Sequence, residues 1–247
     1  MPMRDDEQNL SEKVGNLYLV LQTIVNAVDC SGCEILDFEV LLREKSTNEF
    51  PLLTFQAIID NDESNAIYMK WFENEIKKIY SFLPKKNLDI NLDPQQLLLS
   101  STYIFLKNIS EFCHQIKIEI TETPSKLLDG RKIINKQTLL RIKKFGYTVA
   151  FDDVDTGENN LQFVINNINY IDRIKLSLPF FRKESCREIW SLLKKWKAFA
   201  DLHNLELIVE GVSNKKLSCE LSKYKFNFQQ GYYWSCPKRF YNFLERD

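Results

Sequence analysis

The sequence predicts a single closed α/β barrel of the TIM-like (β/α)8 type, opening with a β-hairpin so that one strand runs antiparallel. Three observations carry that prediction. Short β-branched and aromatic runs alternate with segments of helical period along most of the chain, the pattern of parallel strands joined by returning helices. Counting the hairpin, eight strands are found, the number that closes such a barrel. The chain has 247 residues, a length at which one α/β barrel is an ordinary solution.

The elements follow in order. Residues 1–13 read as a flexible polar arm and 14–247 as one barrel domain. Segments 17–28 and 34–42 are the strands of the hairpin, with a turn at 29–33. Helical spacing marks 51–60 and 64–82, the latter through Ile67, Trp71, Ile76, Ile79 and Tyr80, with Pro84 as its stop. Strand 88–92 precedes Pro94, which is placed to begin a helix. Strand 115–121 is followed by helix 136–145, strand 147–151 by a helix around 159–166, and strand 170–176 by helix 184–203. That last helix carries Trp190, Leu193, Trp196 and Phe199 on its apolar side. Strand 205–209, helix 214–224 and strand 226–229 complete the barrel. Apolar residues facing the interior are expected upstream in each strand, ahead of its polar end.

Composition narrows the function. Lysine and arginine number 33 against 34 acidic residues, a formal net charge of -1, so no basic excess offers a footprint for a nucleic-acid polymer. A small phosphate ligand needs only a local site and stays open. The acidic start of the chain has no apolar core of a signal peptide, and no apolar run approaches the roughly 20 residues that span a bilayer. A cytoplasmic protein without membrane contact is expected, and the six cysteines read as reduced thiols. Cys30-Ser-Gly-Cys33 has the C-x-x-C spacing but no second pair, so it reads as a turn. With two histidines in the chain, a metal site has to be built mainly from oxygen, which suits magnesium or manganese better than zinc.

The strand ends supply that oxygen. Tyr147 to Phe151 runs into Asp152, Asp153 and Asp155, and unpaired carboxylates at the end of a buried strand need a cation. The other ends give Glu39, Asn91, Asp93, Glu119, Glu122, Lys175, Glu210 and Gln230, and in a barrel of this type the active site lies at the C-terminal ends of the strands. Glu39, Asn91, Glu119, Asp152 and Asp153 would converge as hard ligands for two divalent ions, and a pair of ions about 3.5–4 Å apart is the usual clamp for attack on a phosphodiester. Lys175 would neutralise developing charge or steady the attacking water. Residue types alone point to a metal-dependent phosphoesterase; a solvated acidic turn is the plain alternative for any single strand end.

The order and wording of these segments resemble the EAL-domain cyclic di-GMP phosphodiesterases, over residues 17–240. Leu21-Gln-Thr-Ile-Val25 is similar to Y-Q-P-I-V, which implies Gln22 as a substrate contact. Glu39-Val-Leu-Leu-Arg43 is similar to E-A-L-x-R, implying a metal ligand at Glu39 and a substrate contact at Arg43. Ile90-Asn-Leu-Asp93 resembles the N-x-S segment with Asn91 as a ligand, and Ile118-Glu-Ile-Thr-Glu122 resembles E-I-T-E, with Glu119 a ligand and Glu122 a brace for the metal-bearing loop. Asp152 and Asp153 match the aspartates of D-D-F-G-T-G, with Asp152 expected between the metals. Lys175, Glu210 and Gln230 match further family positions, and Gln230-Gly-Tyr-Tyr-Trp-Ser-Cys-Pro237 resembles Q-G-Y-x-F-S-x-P, so that Pro237 joins the substrate contacts. The resemblance implies hydrolysis of cyclic di-GMP to linear pGpG by water activated on two Mg2+ or Mn2+ ions. It also implies a homodimer through the loop after Asp153.

Several positions depart from the family pattern, among them the loop Val154-Asp-Thr-Gly-Glu-Asn-Asn160, which stands where the family has F-G-T-G-Y-S-S. Val40 replaces alanine, Asp155 a glycine, Ser177 an aspartate and Ser213 a glutamate. A side chain at 155 restricts φ unless aspartate tolerates the conformation. The two serines remove negative charge near the metals and would weaken the second ion. The competing reading is a catalytically weak or inactive domain acting as a cyclic di-GMP receptor or protein-binding regulator. The presence of every primary ligand favours the enzyme.

Overall fold

The computed structural model of the chain describes residues 5–28, 32–122, 133–156, 159–181 and 183–243, with side chains from residue 9 onward. Its eight strands form one closed barrel in sequence order. They are β1 (Leu17–Val28), β2 (Gly32–Glu44), β3 (Leu88–Leu92), β4 (Ile116–Ile120), β5 (Thr148–Phe151), β6 (Arg173–Ser177), β7 (Glu206–Glu210) and β8 (Phe228–Gln230). β2 to β8 run parallel, while β1 is antiparallel to both of its neighbours, β2 and β8. The register between β1 and β2 slips between Ile24 and Val25, a bulge that increases local twist where the barrel closes.

Helices cover the outside. They are α1 (Asp5–Gly15), α2 (Leu52–Ile59), α3 (Asp62–Phe82), α4 (Ser100–Asn108), α5 (Lys136–Lys143), α6 (Leu161–Asn167), α7 (Cys186–His203) and α8 (Lys215–Lys223). Their starts follow local chemistry. Asn61 accepts from the Ser64 amide at the head of α3, and Ser185 with Glu188 forms a capping box on α7, which stops at Asn204 in the left-handed region with φ 55°. Pro94 begins a 3-10 turn, capped by Asp93, rather than the expected helix; the α-helix follows at Ser100.

Three further expectations need correction. The segment read as a flexible arm carries α1, because Leu10 and Val14 are one helical turn apart and both are buried. On β2, β3, β4 and β6 the residues inside the barrel upstream of the strand ends are charged rather than apolar, while Ala150 on β5 and Ile208 on β7 fit the expectation. Ile90, Ile118, Val149, Ile174 and Val209 are buried, and strand alternation turns them outward to the helices. The alternate positions, Asp37, Asp89, Lys117 and Arg173, point inward, where they pair with one another. The reading of six reduced thiols also fails at Cys219, which is disulfide-bonded, whereas Cys33, Cys113, Cys186 and Cys236 are free. Of the C-x-x-C, Cys30 and Ser31 lie outside the described residues. Among the described residues no helix is long and apolar enough to cross a membrane.

Candidate metal centre at the barrel mouth

Parallel strands in register bring their C-terminal ends to one rim, and that is where the predicted residues meet. Lys175 on β6 is the hub. Its Nζ lies 2.7 Å from Glu119 Oε1 on β4, 2.7 Å from Glu210 Oε1 on β7, 3.3 Å from Glu39 Oε2 on β2 and 3.7 Å from Asp152 Oδ1 just beyond β5. Asn91 Nδ2 donates to Glu39 Oε1 at 3.1 Å, which leaves its amide oxygen for another partner. Gln230 Nε2 donates to the other Glu39 oxygen and, at 3.4 Å, to Gln22 Oε1. Gln22 in turn donates to the Ser235 carbonyl at 3.0 Å.

The loop after β5 is tightly wound. The Asp153 amide donates to Asp152 Oδ1 at 3.0 Å, and Asn159 Nδ2 holds the Asp152 carbonyl at 2.6 Å. Asp153 and Asp155 both adopt positive φ, 45° and 68°, so aspartate does tolerate the conformation that glycine would hold freely. Val154 is fully buried, and Lys195 lies 3.9 Å from Asp155. Gly157 and Glu158 lie outside the described residues.

Four carboxylates, Glu39 and Glu119 buried and Asp152 and Glu210 partly so, do not balance one ammonium, and proton affinities record it. Burial alone would lower the Lys175 pKa, but Glu119, Glu210, Glu39 and Asp152 outweigh it and hold the ammonium well above its ordinary value. Burial pushes Glu119 well up despite Lys175, and lifts Asp152, Asp153 and Glu210 to about 7 each. Glu39 alone of this group stays below its usual range: burial works against it, but Lys175 and hydrogen bonds from Gln230 and Asn91 prevail.

The donor set fits divalent cations. Glu119 Oε2 and Asp153 Oδ1 are buried without a hydrogen-bond partner, and ligand atoms of Glu122, Asp152 and Asp153 all lie within 4.8 Å of one another. Carboxylates and an amide are the hard ligands that Mg2+ or Mn2+ take. A further cation would compensate the charge that Lys175 leaves uncovered.

Two chambers meet at this cluster, and Glu39 and Asp152 line both. One, of about 460 Å3, is apolar on its outer side, through Phe50, Leu52 and Phe55, and includes Arg43, Asn91 and Glu122. The other, of about 440 Å3, is lined by Gln22, Ser177, Pro179, Glu210, Ser213, Gln230 and Tyr232. Pro237 lines neither and stands half-buried beside the bridge between Leu21 and Lys238. The apolar chamber wall and Tyr232 were not among the predicted contacts, since isolated hydrophobic residues in loops carry no motif.

Fold and site together define a TIM-type barrel, closed by one reversed strand, whose mouth gathers carboxylates around a single lysine. The chain belongs to the EAL domain family, whose model matches residues 6–237. Among curated proteins it is 29% identical over 171 residues to the cyclic di-GMP phosphodiesterase PdeA of Borreliella burgdorferi, covering 66% of this chain and 25% of that protein. To the cyclic di-GMP phosphodiesterase PdeR of Escherichia coli it is 29% identical over 216 residues, covering 83% and 32%. The chain thus spans about a quarter to a third of these relatives. Among solved structures, the EAL enzyme Bd1971 with cAMP and cyclic di-GMP bound superposes with a TM-score of 0.76 at 24% identity, covering 97% of this chain and 68% of that one. The manganese and cyclic di-GMP complex of Klebsiella pneumoniae BlrP1 superposes at 0.70 with 22% identity, covering 90% and 56%.

Proposed function

We propose that this domain hydrolyses cyclic di-GMP to linear pGpG and so lowers the level of that second messenger. The observation that carries the reading is the convergence of Glu39, Glu119, Asp152 and Glu210 on Lys175, with Asn91 bonded to Glu39 and Asp153 beside Asp152, between two chambers, an arrangement suited to a ligand with two bulky ends and a phosphodiester between them. The relatives' names and the ligands of the superposed enzymes support it.

In this reading Glu39, Asn91, Glu119, Asp152 and Asp153 would hold two Mg2+ or Mn2+ ions. Such a pair, when bound, polarises the phosphate and lowers the pKa of water. The chain's own groups do the rest. Gln230 orients Glu39 and Gln22 together. Lys175 keeps its proton at Nζ and offsets charge gathered on the phosphate. Glu210, pushed to about 7, is poised to accept a proton near neutrality. Arg43 serves the phosphate or base in the apolar chamber, and Gln22 and Tyr232 serve the opposite one. Glu122 braces the loop beside Asp152 and Asp153. Pro237 acts by shaping the backbone that pairs with Leu21 and so presents Gln22. A cytoplasmic setting and a homodimer through the loop after Asp153 belong to the same reading; sedimentation of loop variants tests the latter.

The receptor reading has less support, because no primary ligand is missing. Purified protein incubated with cyclic di-GMP and manganese, against a chelator control, separates them. Production of pGpG only with the ion supports hydrolysis. Binding without product makes the domain a receptor, and full turnover in chelator removes the metal.

A further inference from the structure

Beneath the mouth lies a second charged layer that the proposed chemistry does not use. Arg173 on β6 reaches across the barrel interior. Its Nη1 donates to Asp89 Oδ2 on β3 at 2.5 Å, its Nη2 to Asp37 Oδ2 on β2 at 2.5 Å, and its Nε to Glu206 Oε2 on β7 at 2.8 Å. Lys117 on β4 adds a contact of 3.0 Å to Asp37 Oδ1. Arg173, Asp37 and Asp89 are 0% exposed.

All but Glu206 stand two residues ahead of a mouth residue on the same strand. Asp37 precedes Glu39, Asp89 precedes Asn91, Lys117 precedes Glu119, and Arg173 precedes Lys175. Residues two apart share a face and lie about 6.6 Å apart along the strand, so the layers are stacked neighbours. Barrels of this kind ordinarily fill such layers with branched aliphatic side chains. Extra stability is a poor reason for charges here, since apolar residues of similar volume usually do as well or better than a buried ion cluster. What an ion cluster adds is direction. The guanidinium is a rigid planar fork with fixed donor positions, so it sets both the distance and the angle between the strands it joins.

We propose that Arg173 is a positioning residue, a strut across the barrel that fixes the separation of β2, β3 and β6 and thereby presents Glu39, Asn91 and Lys175 at the spacing two divalent ions require. Lys175 is itself a cross-barrel strut, but three of the four carboxylates it holds, Glu39, Glu119 and Asp152, are those that ions would take over. The lower strut shares no partner with them and keeps the frame when the upper contacts are exchanged. The choice of ion rests on the proposed metal-dependent function; the frame itself rests on the contacts of Arg173.

The test uses the full chain and Mn2+ as probe. The triple variant Asp37→Leu, Asp89→Leu, Arg173→Met removes the core of the layer at similar volume and leaves Lys117 and Glu206, whose side chains reach solvent. It is expected to unfold cooperatively near the parent's melting temperature. Its manganese affinity, read by calorimetric titration, is expected to fall about 10–100-fold, the usual effect of losing support behind metal ligands. Turnover of cyclic di-GMP should fall in kcat with KM little changed. Arg173→Lys, which keeps the charge and loses the fork, is expected to show a smaller loss of manganese affinity at an unchanged fold. Parent-like manganese affinity in a folded triple variant, or in Arg173→Lys where the triple variant does not fold, overturns the proposal. If neither folds, the layer is a folding requirement and the positioning role falls. Parent protein that binds manganese but leaves cyclic di-GMP intact would instead refute the hydrolase reading, while the titration still judges Arg173.

Discussion

Asp152→Asn separates chemistry from structure at the mouth more cleanly than any other single change. The backbone of Asp152 is held by its own amide on the Ile120 carbonyl at 3.0 Å and by Asn159 on its carbonyl at 2.6 Å, neither of which involves the carboxylate. The side chain accepts from the Asp153 amide at 3.0 Å, a role the amide oxygen of asparagine can keep. Its contact with Lys175 is the longest of that hub at 3.7 Å, and its pKa of about 7 means that near neutrality the folded metal-free protein already holds much of it uncharged. A neutral isostere therefore costs the fold little, within about 1 kcal/mol, as for one modest hydrogen bond. Catalysis is another matter. One carboxylate can give an oxygen to each of two ions, and an amide does so poorly. Losing several kcal/mol of transition-state stabilisation is roughly a thousandfold or more in rate. The assay is turnover of cyclic di-GMP at saturating manganese, with melting temperature and ligand affinity measured on the same preparation. Binding should survive in part through Gln22 and Arg43, and Asp155→Asn should cost far less. Near-normal turnover by Asp152→Asn would refute the role of this residue and the register of the motifs around it.

Other expectations follow from the same geometry. Lys175→Met leaves Glu39, Glu119 and Glu210 uncompensated; breaking a buried pair costs about 3–5 kcal/mol, which at roughly 2–4 °C per kcal/mol lowers the melting temperature of the metal-free protein by about 6–20 °C. Manganese should recover most of that loss without restoring activity, and a gap that manganese fails to narrow counts against the shared-cation account. Ser177 and Ser213 both line the second chamber; Ser177→Asp with Ser213→Glu should lower the manganese concentration for half activity and destabilise the metal-free protein, whereas an unchanged concentration would mean the serines are absorbed. Divalent ions take the charged forms of Asp152 and Asp153, both lifted to about 7, so binding expels protons and manganese affinity should climb as pH rises through about 7, then level off. These same raised values oppose folding of the metal-free protein above the unfolded aspartate range near 3.8, increasingly until pH passes about 7. An affinity flat across that range would show the two carboxylates to be already ionised.

The barrel was legible because alternation of strand and helix is written at every step, from Ile90 and Ile118 on the outward faces to the apolar stripe of α7. The mouth was legible because carboxylates and amides at strand ends have no packing role, so Glu39, Asn91, Glu119 and Asp152 stand out one strand at a time. The lower layer was missed although its signal is present. Asp37, Asp89, Lys117 and Arg173 each break an apolar strand two residues before the residue that drew notice, and a charge there can only be buried or misplaced. Helix α1 was missed because two apolar residues one turn apart are faint within a polar segment. The chamber walls were illegible in principle: Phe50, Leu52 and Tyr232 acquire meaning only when distant loops are brought to one rim.

Because β1 runs against its neighbours, the chain enters this barrel from the reactive rim and not from its floor. Leu17 pairs with Glu44, five residues beyond Glu39, so the entry point stands about 16 Å above the level of that carboxylate, on a ribbon of two strands. Tyr18 pairs with Arg43 along that ribbon and also stacks under the Arg239 guanidinium, 3.5 Å from the ring centroid. α1 therefore leads straight into the strand that carries Gln22, and its Leu10 and Val14 belong to the same hydrophobic core as Leu17, Leu19 and Leu21 of that strand. In an all-parallel barrel the first strand would begin at the opposite end from Glu39 and Lys175; here it begins above them.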